Sequence, residues 1–147
     1  DLNLAFVSGI HAPIKYTLHE KNTENGITEY TSSEPTNDPQ WGLLSAINLS
    51  TGKIKWQYKT PQPLVGGTLS TKGGLVFLGE GNGNFNAIDA ASGVLLWQTY
   101  IDAGVNAPPI TYLIDGEQYI AVVAGGNKIM GFSQGDYINV YKLPKAE

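Results

Sequence analysis

Two histidines, His11 and His19, are the first residues whose side chains could do chemistry, as metal ligands or as a general base. They lie eight residues apart in a stretch without cysteine and without the His/carboxylate spacing of a zinc site. No Ser/His/Asp grouping can be argued, because order along a chain does not establish proximity. A surface or lid histidine is the plain reading. Gly79-Glu80-Gly81-Asn82-Gly83-Asn84 suggests a phosphate-cradling loop, but that use needs a helix N-terminus directly after the glycines. A strand pattern follows instead, which makes the segment a hairpin turn. Asp89 and Asn48 are polar enough for catalysis, yet they recur at equivalent positions of a repeat, as turn-stabilising side chains do. Trp41 has no counterpart one repeat later, where Asn82 stands, and is the one tryptophan to consider near a ligand. Asn48-Leu49-Ser50 fits the N-glycosylation pattern, for which a tight turn is a sufficient explanation. From type and spacing alone, no catalytic residue and no metal ligand is assigned.

The elements that would position such residues follow from composition and self-similarity. The chain has 9 cationic residues, all lysine, against 13 Asp and Glu, for a net charge of −4. Lysines spread singly on an acidic chain form no basic stripe, which speaks against nucleic acid as a partner. With 41% apolar and only 15% charged residues the chain is globular rather than disordered. No apolar run approaches the roughly 18 residues of a bilayer span, and no signal-peptide pattern opens the sequence. The start at Asp1 rather than Met is that expected of a processed product. Without cysteine, disulfides, thiolate metal sites and cysteine nucleophiles are excluded. The 18 Gly, 8 Pro and many aromatics, with no sustained helical period, predict short strands joined by tight turns.

A repeat decides the architecture. Ala46-Ile47-Asn48-Leu49-Ser50-Thr51-Gly52-Lys53-Ile54-Lys55-Trp56 aligns with Ala87-Ile88-Asp89-Ala90-Ala91-Ser92-Gly93-Val94-Leu95-Leu96-Trp97 at an offset of 41 residues. Each copy reads as strand, turn, strand. That period is the four-stranded blade of a β-propeller. The hairpins around Lys72-Gly73 and Asp115-Gly116 fall into register before and after the second copy, and Leu4 to Ser8 and Tyr137 to Tyr141 supply outlying strands. The fold class is therefore all-β: a partial β-propeller of about three four-stranded antiparallel blades. The blades are expected at 2–59, with an insertion at 10–42, at 66–100, and at 107–143 without an outer strand. The first also lacks its inner strand, so ten strands are expected. The chain reads as a C-terminal fragment of a longer propeller, with apolar blade faces open to the remaining blades or to self-association.

Antiparallel strands send the short turns to one end and the long connections to the other. Ile10 to Gly42, Pro61 to Gly66, Gly79 to Asn84, Asp102 to Ala107 and Gly125 to Asp136 all emerge together. Long loops on one end of a rigid scaffold are where sites sit. The stretch from Ile10 to Gly42 is the least regular, with room for a small hairpin at Asn25-Gly26. A lid over the axis and a decorative insertion are both open readings of it.

The repeat Ala-x-Asp/Asn-x-x-Thr/Ser-Gly-x-x-x-Trp resembles the tryptophan-docking motif of the quinoprotein dehydrogenases, propellers that depend on pyrroloquinoline quinone (PQQ). Gly66-Gly67-Thr68-Leu69-Ser70-Thr71-Lys72-Gly73-Gly74-Leu75-Val76-Phe77 resembles that family's penultimate blade. Gly104-Val105-Asn106-Ala107-Pro108-Pro109-Ile110-Thr111-Tyr112 with Asp115 to Val122 and Ala124-Gly125-Gly126 resembles the last, and Gly135-Asp136-Tyr137 through Leu143-Pro144 resembles the closing strand of glucose-type and related alcohol-type members.

The resemblance implies an eight-bladed propeller holding PQQ and calcium near its axis. Such an enzyme oxidises an alcohol or sugar hydroxyl in the periplasm, with a cytochrome or membrane ubiquinone as electron acceptor, in some members attached to the inner membrane. The family's catalytic aspartate and calcium ligands lie in earlier blades, so the fragment alone is expected to be inert. The resemblance places Val65, Gly66 and Asn127 at the cofactor. In the Leu64-Val65-Gly66-Gly67 loop many alcohol-oxidising members carry a tryptophan, absent here, which favours wall packing over stacking and a glucose-type or unassigned member over a methanol dehydrogenase. The rival reading is a cofactor-free scaffold, similar to the outer-membrane assembly lipoprotein that uses the same docking repeat. That protein lacks the Asn-Ala-Pro-Pro-Ile-Thr-Tyr and Gln-Tyr-Ile-Ala-Val-Val-Ala-Gly-Gly runs present here.

Overall fold

A computed structural model describes residues 2–143; Pro144, at the end of the matched closing strand, lies outside them. The described residues form twelve strands and no helix. The first sheet is β1 (Leu4–His11), β4 (Trp41–Asn48) and β5 (Ile54–Thr60), in the order β1-β4-β5. The second runs β6 (Thr68–Ser70), β7 (Leu75–Gly79), β8 (Asn84–Asp89), β9 (Leu95–Tyr100) in sequence order. The third is β10 (Ile110–Ile114), β11 (Glu117–Ala124), β12 (Tyr137–Lys142). Every pairing is antiparallel.

Residues forty-one apart do the same work in the first two sheets. The β4–β5 register slips between Ala46 and Ile47, and the β8–β9 register slips between Ala87 and Ile88. Asn48 Oδ1 accepts the Ser50 and Thr51 N–H groups and the Thr51 hydroxyl. Asp89 Oδ1 does the same for Ala91 N–H, Ser92 N–H and the Ser92 hydroxyl. These side chains hold turns, as their recurrence implied. Trp56 reaches from the first sheet to the turn of the second, where its indole N–H donates to Ala90 O at 3.1 Å. Its ring lies over Gly93, where a Cβ would come within 2.7 Å. Trp97, the equivalent residue, stands edge-on to Phe85 and to Tyr141 of the third sheet and is 41% exposed.

Two apolar cores result. Leu44, Leu64, Val76, Leu78 and Ile88, with Phe6, Trp56 and Tyr58 at the margin, join the first sheet to the second. Phe77, Phe85, Val105, Ile120 and Val122 join the second to the third, with Tyr141 packed against them. The outer faces are uncovered: Val7 on one side, and Ile110, Val123, Ile138 and Val140 on the other, are exposed. The sheets do not close into a ring.

The expected ten strands are two too few. Residues 12–40 are a long hairpin of β2 (Ile14–Thr23) and β3 (Gly26–Pro35), rather than an irregular insertion. The excursion is also shorter than 10–42, because Ile10 pairs with Gly42 and His11 with Trp41 in the β1–β4 ladder. The reversal uses Glu24 and Asn25, and Gly26 already belongs to β3 with φ +121°.

Candidate functional site

The long connections do gather at one end. The β5–β6 loop lies against the start of β4: a Cβ on Gly42 would meet Gln62 O at 2.7 Å and Leu64 Cγ at 2.6 Å. The same loop meets the β9–β10 loop, since a Cβ on Gly66 would stand 3.0 Å from Asn106 O. Val105 N–H donates to Glu80 O at 2.9 Å, tying the β9–β10 loop to the β7–β8 turn. Gly104 N–H donates to Ser133 O, and Gly126 N–H to Gly104 O, each at 2.9 Å, which brings in the β11–β12 loop. Four loops from three sheets are therefore joined backbone to backbone. Such approaches require residues without side chains, which explains the glycines at 66, 104 and 126.

Glu80 is the group in this region that its sequence context concealed. It is 2% exposed although it sits in a Gly-rich turn. Asn86 Nδ2 and Asn82 Nδ2 donate to its two carboxylate oxygens, and Gln98 Nε2 in turn supports Asn86 Oδ1 at 2.8 Å. Burial raises its pKa above the ordinary carboxylate value, while the bonds from Asn86, Asn82 and Asn84 act in the opposite direction. The Tyr58 hydroxyl is also raised, by burial and then by the nearby Glu80 charge. No ion pair engages Glu80 among the described residues. A buried carboxylate held only by carboxamides requires all of them in place.

Of the residues assigned to a cofactor, Val65 is half-buried in the β5–β6 loop and Gly66 carries the approach to Asn106. Asn127 lies in the β11–β12 loop; its Oδ1 accepts Met130 N–H at 3.1 Å, which leaves Nδ2 for a ligand. The two loops are linked through residues 104–106. Gln62 Oε1 and Asn106 Nδ2, in the same loops, are buried without a partner. Spacing gave no signal for either. Gly79 to Asn84 turns directly into β8, so no phosphate-binding helix terminus exists there. His11 stacks on Trp41 with ring centroids 3.4 Å apart, and Lys59 Nζ covers the Trp41 ring at 4.2 Å. These two contacts hold the tryptophan at the root of the hairpin. His19 stacks on Tyr30 and bonds to Ser32 Oγ at 2.7 Å. No group of three His, Asp or Glu side chains suited to a metal occurs among the described residues.

Known proteins are similar to this chain in sequence and in fold. Residues 13–120 match the family described as glucose/ethanol/alcohol dehydrogenase, β-propeller domain, whose name is PQQ. Quinoprotein alcohol dehydrogenase PedH of Pseudomonas putida is 37% identical over 124 residues, covering 76% of this chain and 21% of that protein. Quinoprotein glucose dehydrogenase of Escherichia coli is 35% identical over 130 residues, covering 75% of this chain and 16% of its own length. The chain thus spans about a fifth of the curated relatives it matches. The crystal structure of quinohemoprotein alcohol dehydrogenase from Comamonas testosteroni superposes with a TM-score of 0.75 over 99% of this chain and 26% of that one, at 23% identity, and so shares the fold. A 41-residue repeat, antiparallel sheets that do not close into a ring and the match over residues 13–120 together make the chain a member of the PQQ-type glucose/ethanol/alcohol dehydrogenase β-propeller family.

Proposed function

We propose that this chain forms the last blades of a PQQ- and calcium-dependent dehydrogenase that oxidises an alcohol or sugar hydroxyl in the periplasm. The observation that carries the reading is the joining of four loops from three sheets at one end, with Val65 and Asn127 in loops linked through residues 104–106. PQQ is a flat, oxygen-rich acid. It calls for apolar cover on its ring faces and N–H donors at its edges. Val65 offers apolar cover, and Asn127 Nδ2 and Asn106 Nδ2 are carboxamide donors in the same cluster of loops. The residues present therefore suit such a ligand. The quinone, when bound, would supply the two-electron oxidant that turns a hydroxyl into a carbonyl.

The residues of this chain then wall the cofactor and exclude water, while proton abstraction and calcium binding belong to the blades that complete the ring. Those blades are its first partners, and a cytochrome or ubiquinone takes the electrons. The test is a dye-coupled oxidation assay on the full-length protein loaded with PQQ and calcium, beside the 147-residue chain treated identically. Oxidation of an alcohol or sugar by the former and none by the latter is expected. Activity in the isolated chain, or an inert but fully loaded full-length protein, would overturn the reading.

A further inference from the structure

The β2–β3 hairpin is two-sided, and only one side is satisfied within the chain. Side chains alternate across a strand, so the cross-strand pairs sort into two faces. One face binds itself. Lys15 pairs with Glu34 at 3.3 Å, His19 stacks on Tyr30 and bonds to Ser32, and Thr17 and His19 become half-buried. On the other face no residue is even half-buried. There Ile14, Tyr16 and Leu18 follow one another along β2, exposed by 50%, 71% and 60%, and Ile27 on β3 is exposed by 65%.

That apolar stripe runs directly into a like-charge pair. Glu20 and Glu29 stand opposite each other in the ladder, and no ion pair engages either among the described residues. Like charges directly opposite weaken a strand pair by a fraction of a kcal/mol up to about 1 kcal/mol. Residues 12–40 hold two lysines against five carboxylates, and so three of the chain's four net negative charges. A second copy of the chain would bring the same charge and has no arginine to offer. An anionic lipid surface or a nucleic acid would be repelled likewise.

We infer that this face is the docking surface for a different protein, one whose contact patch sets an arginine among apolar side chains. The guanidinium bridges Glu20 and Glu29 in its fork geometry, and its apolar neighbours cover Tyr16 and Leu18. Two strands of about 34 Å length and one pleat width cover a few hundred Å², below the roughly 800 Å² per side of a stable complex. The contact is accordingly transient and salt-sensitive. The hairpin springs from the His11–Trp41 pair, beside the loop carrying Val65. The inference does not depend on any quinone being bound.

The test selects a displayed library of random peptides of about twelve residues on the full-length protein, then measures each enriched peptide by fluorescence anisotropy. Peptides joining arginine to apolar residues should be enriched. Their binding should fall about tenfold or more for Glu20→Lys/Glu29→Lys, and equally for Tyr16→Ser/Leu18→Ser. Thr17→Ala, on the opposite face, should leave it within about twofold, with circular dichroism unchanged in every variant. Enrichment of peptides without arginine, or binding indifferent to both double substitutions, would overturn the inference. So would a failure to enrich any peptide, or an equal loss with Thr17→Ala.

Discussion

Replacing Gly93 by alanine, beside the same change at Gly52, separates the tryptophan contact from the turn that carries it. Both glycines have positive φ, +79° and +68°, and both turns are capped alike by Asp89 and Asn48. A Cβ in left-handed backbone costs about 1–2 kcal/mol at either position. At Gly52 nothing lies within 4 Å of it, so that penalty is the whole effect. At Gly93 it would meet Trp56 Cδ2 at 2.7 Å, and the indole must withdraw. The bond from Trp56 N–H to Ala90 O goes with it, about 1 kcal/mol net. Part of the packing of a half-buried ring goes too, about a further 1 kcal/mol. Gly93→Ala should therefore destabilise the chain by about 2 kcal/mol more than Gly52→Ala. Urea unfolding followed by circular dichroism measures both, first alone and then in a Trp56→Ala background. In that background the Gly93 penalty should shrink to the Gly52 value. Equal penalties in the parent sequence, or a Gly93 penalty unchanged without Trp56, would refute the docking argument.

The other expectations concern the loop end. Glu80 has a folded-state pKa above its ordinary 4.5, so its stabilising contribution is complete below that pH and declines as pH rises through the folded value. Urea midpoints measured upward from pH 4.5 should show that decline relative to Glu80→Gln, and parallel profiles for the two proteins would contradict it. Gly126→Ala meets both positive φ (+74°) and Ser133 O; it should cost about 2–3 kcal/mol and loosen the β11–β12 loop, read as faster amide exchange at Gly104 and Phe132, whose N–H groups bond to Ser133 O and Asn127 O. Asn127→Ala removes only a bond to Met130 N–H. It should cost about 1 kcal/mol, while weakening quinone retention in the full-length protein.

What could be read from the sequence was whatever repeats. The turn caps Asn48 and Asp89, the glycines after them and the tryptophans Trp56 and Trp97 coincide at one offset, so local chemistry and global period agree. The length of the β2–β3 hairpin was hidden because only β2 alternates, with Ile14, Tyr16 and Leu18 between Lys15, Thr17 and His19, while β3 after Ile27 is almost wholly polar and marks no partner strand. Glu80 was hidden for a different reason. A glutamate between glycines reads as an exposed turn residue, and its burial depends on Asn86 in the next strand and Tyr58 in the neighbouring sheet. The role of Trp41 likewise depends on His11 and Lys59, contacts made only by the folded ladder. At the loop end, Val65, Gly66 and Asn127 came from family likeness rather than spacing, whereas Gln62 and Asn106 emerged only when burial could be seen.

The most direct measurement is quinone retention. The full-length protein, folded with calcium and added PQQ, is desalted and its ultraviolet–visible spectrum taken, with a Val65→Asp variant treated in parallel. Quinone absorbance should stay with the unaltered protein and be largely lost from the variant, because a carboxylate at Val65 would face an acidic ligand. A folded, calcium-loaded protein that retains no quinone, or a variant that retains as much as its parent, would contradict the assignment of this end of the propeller to the cofactor.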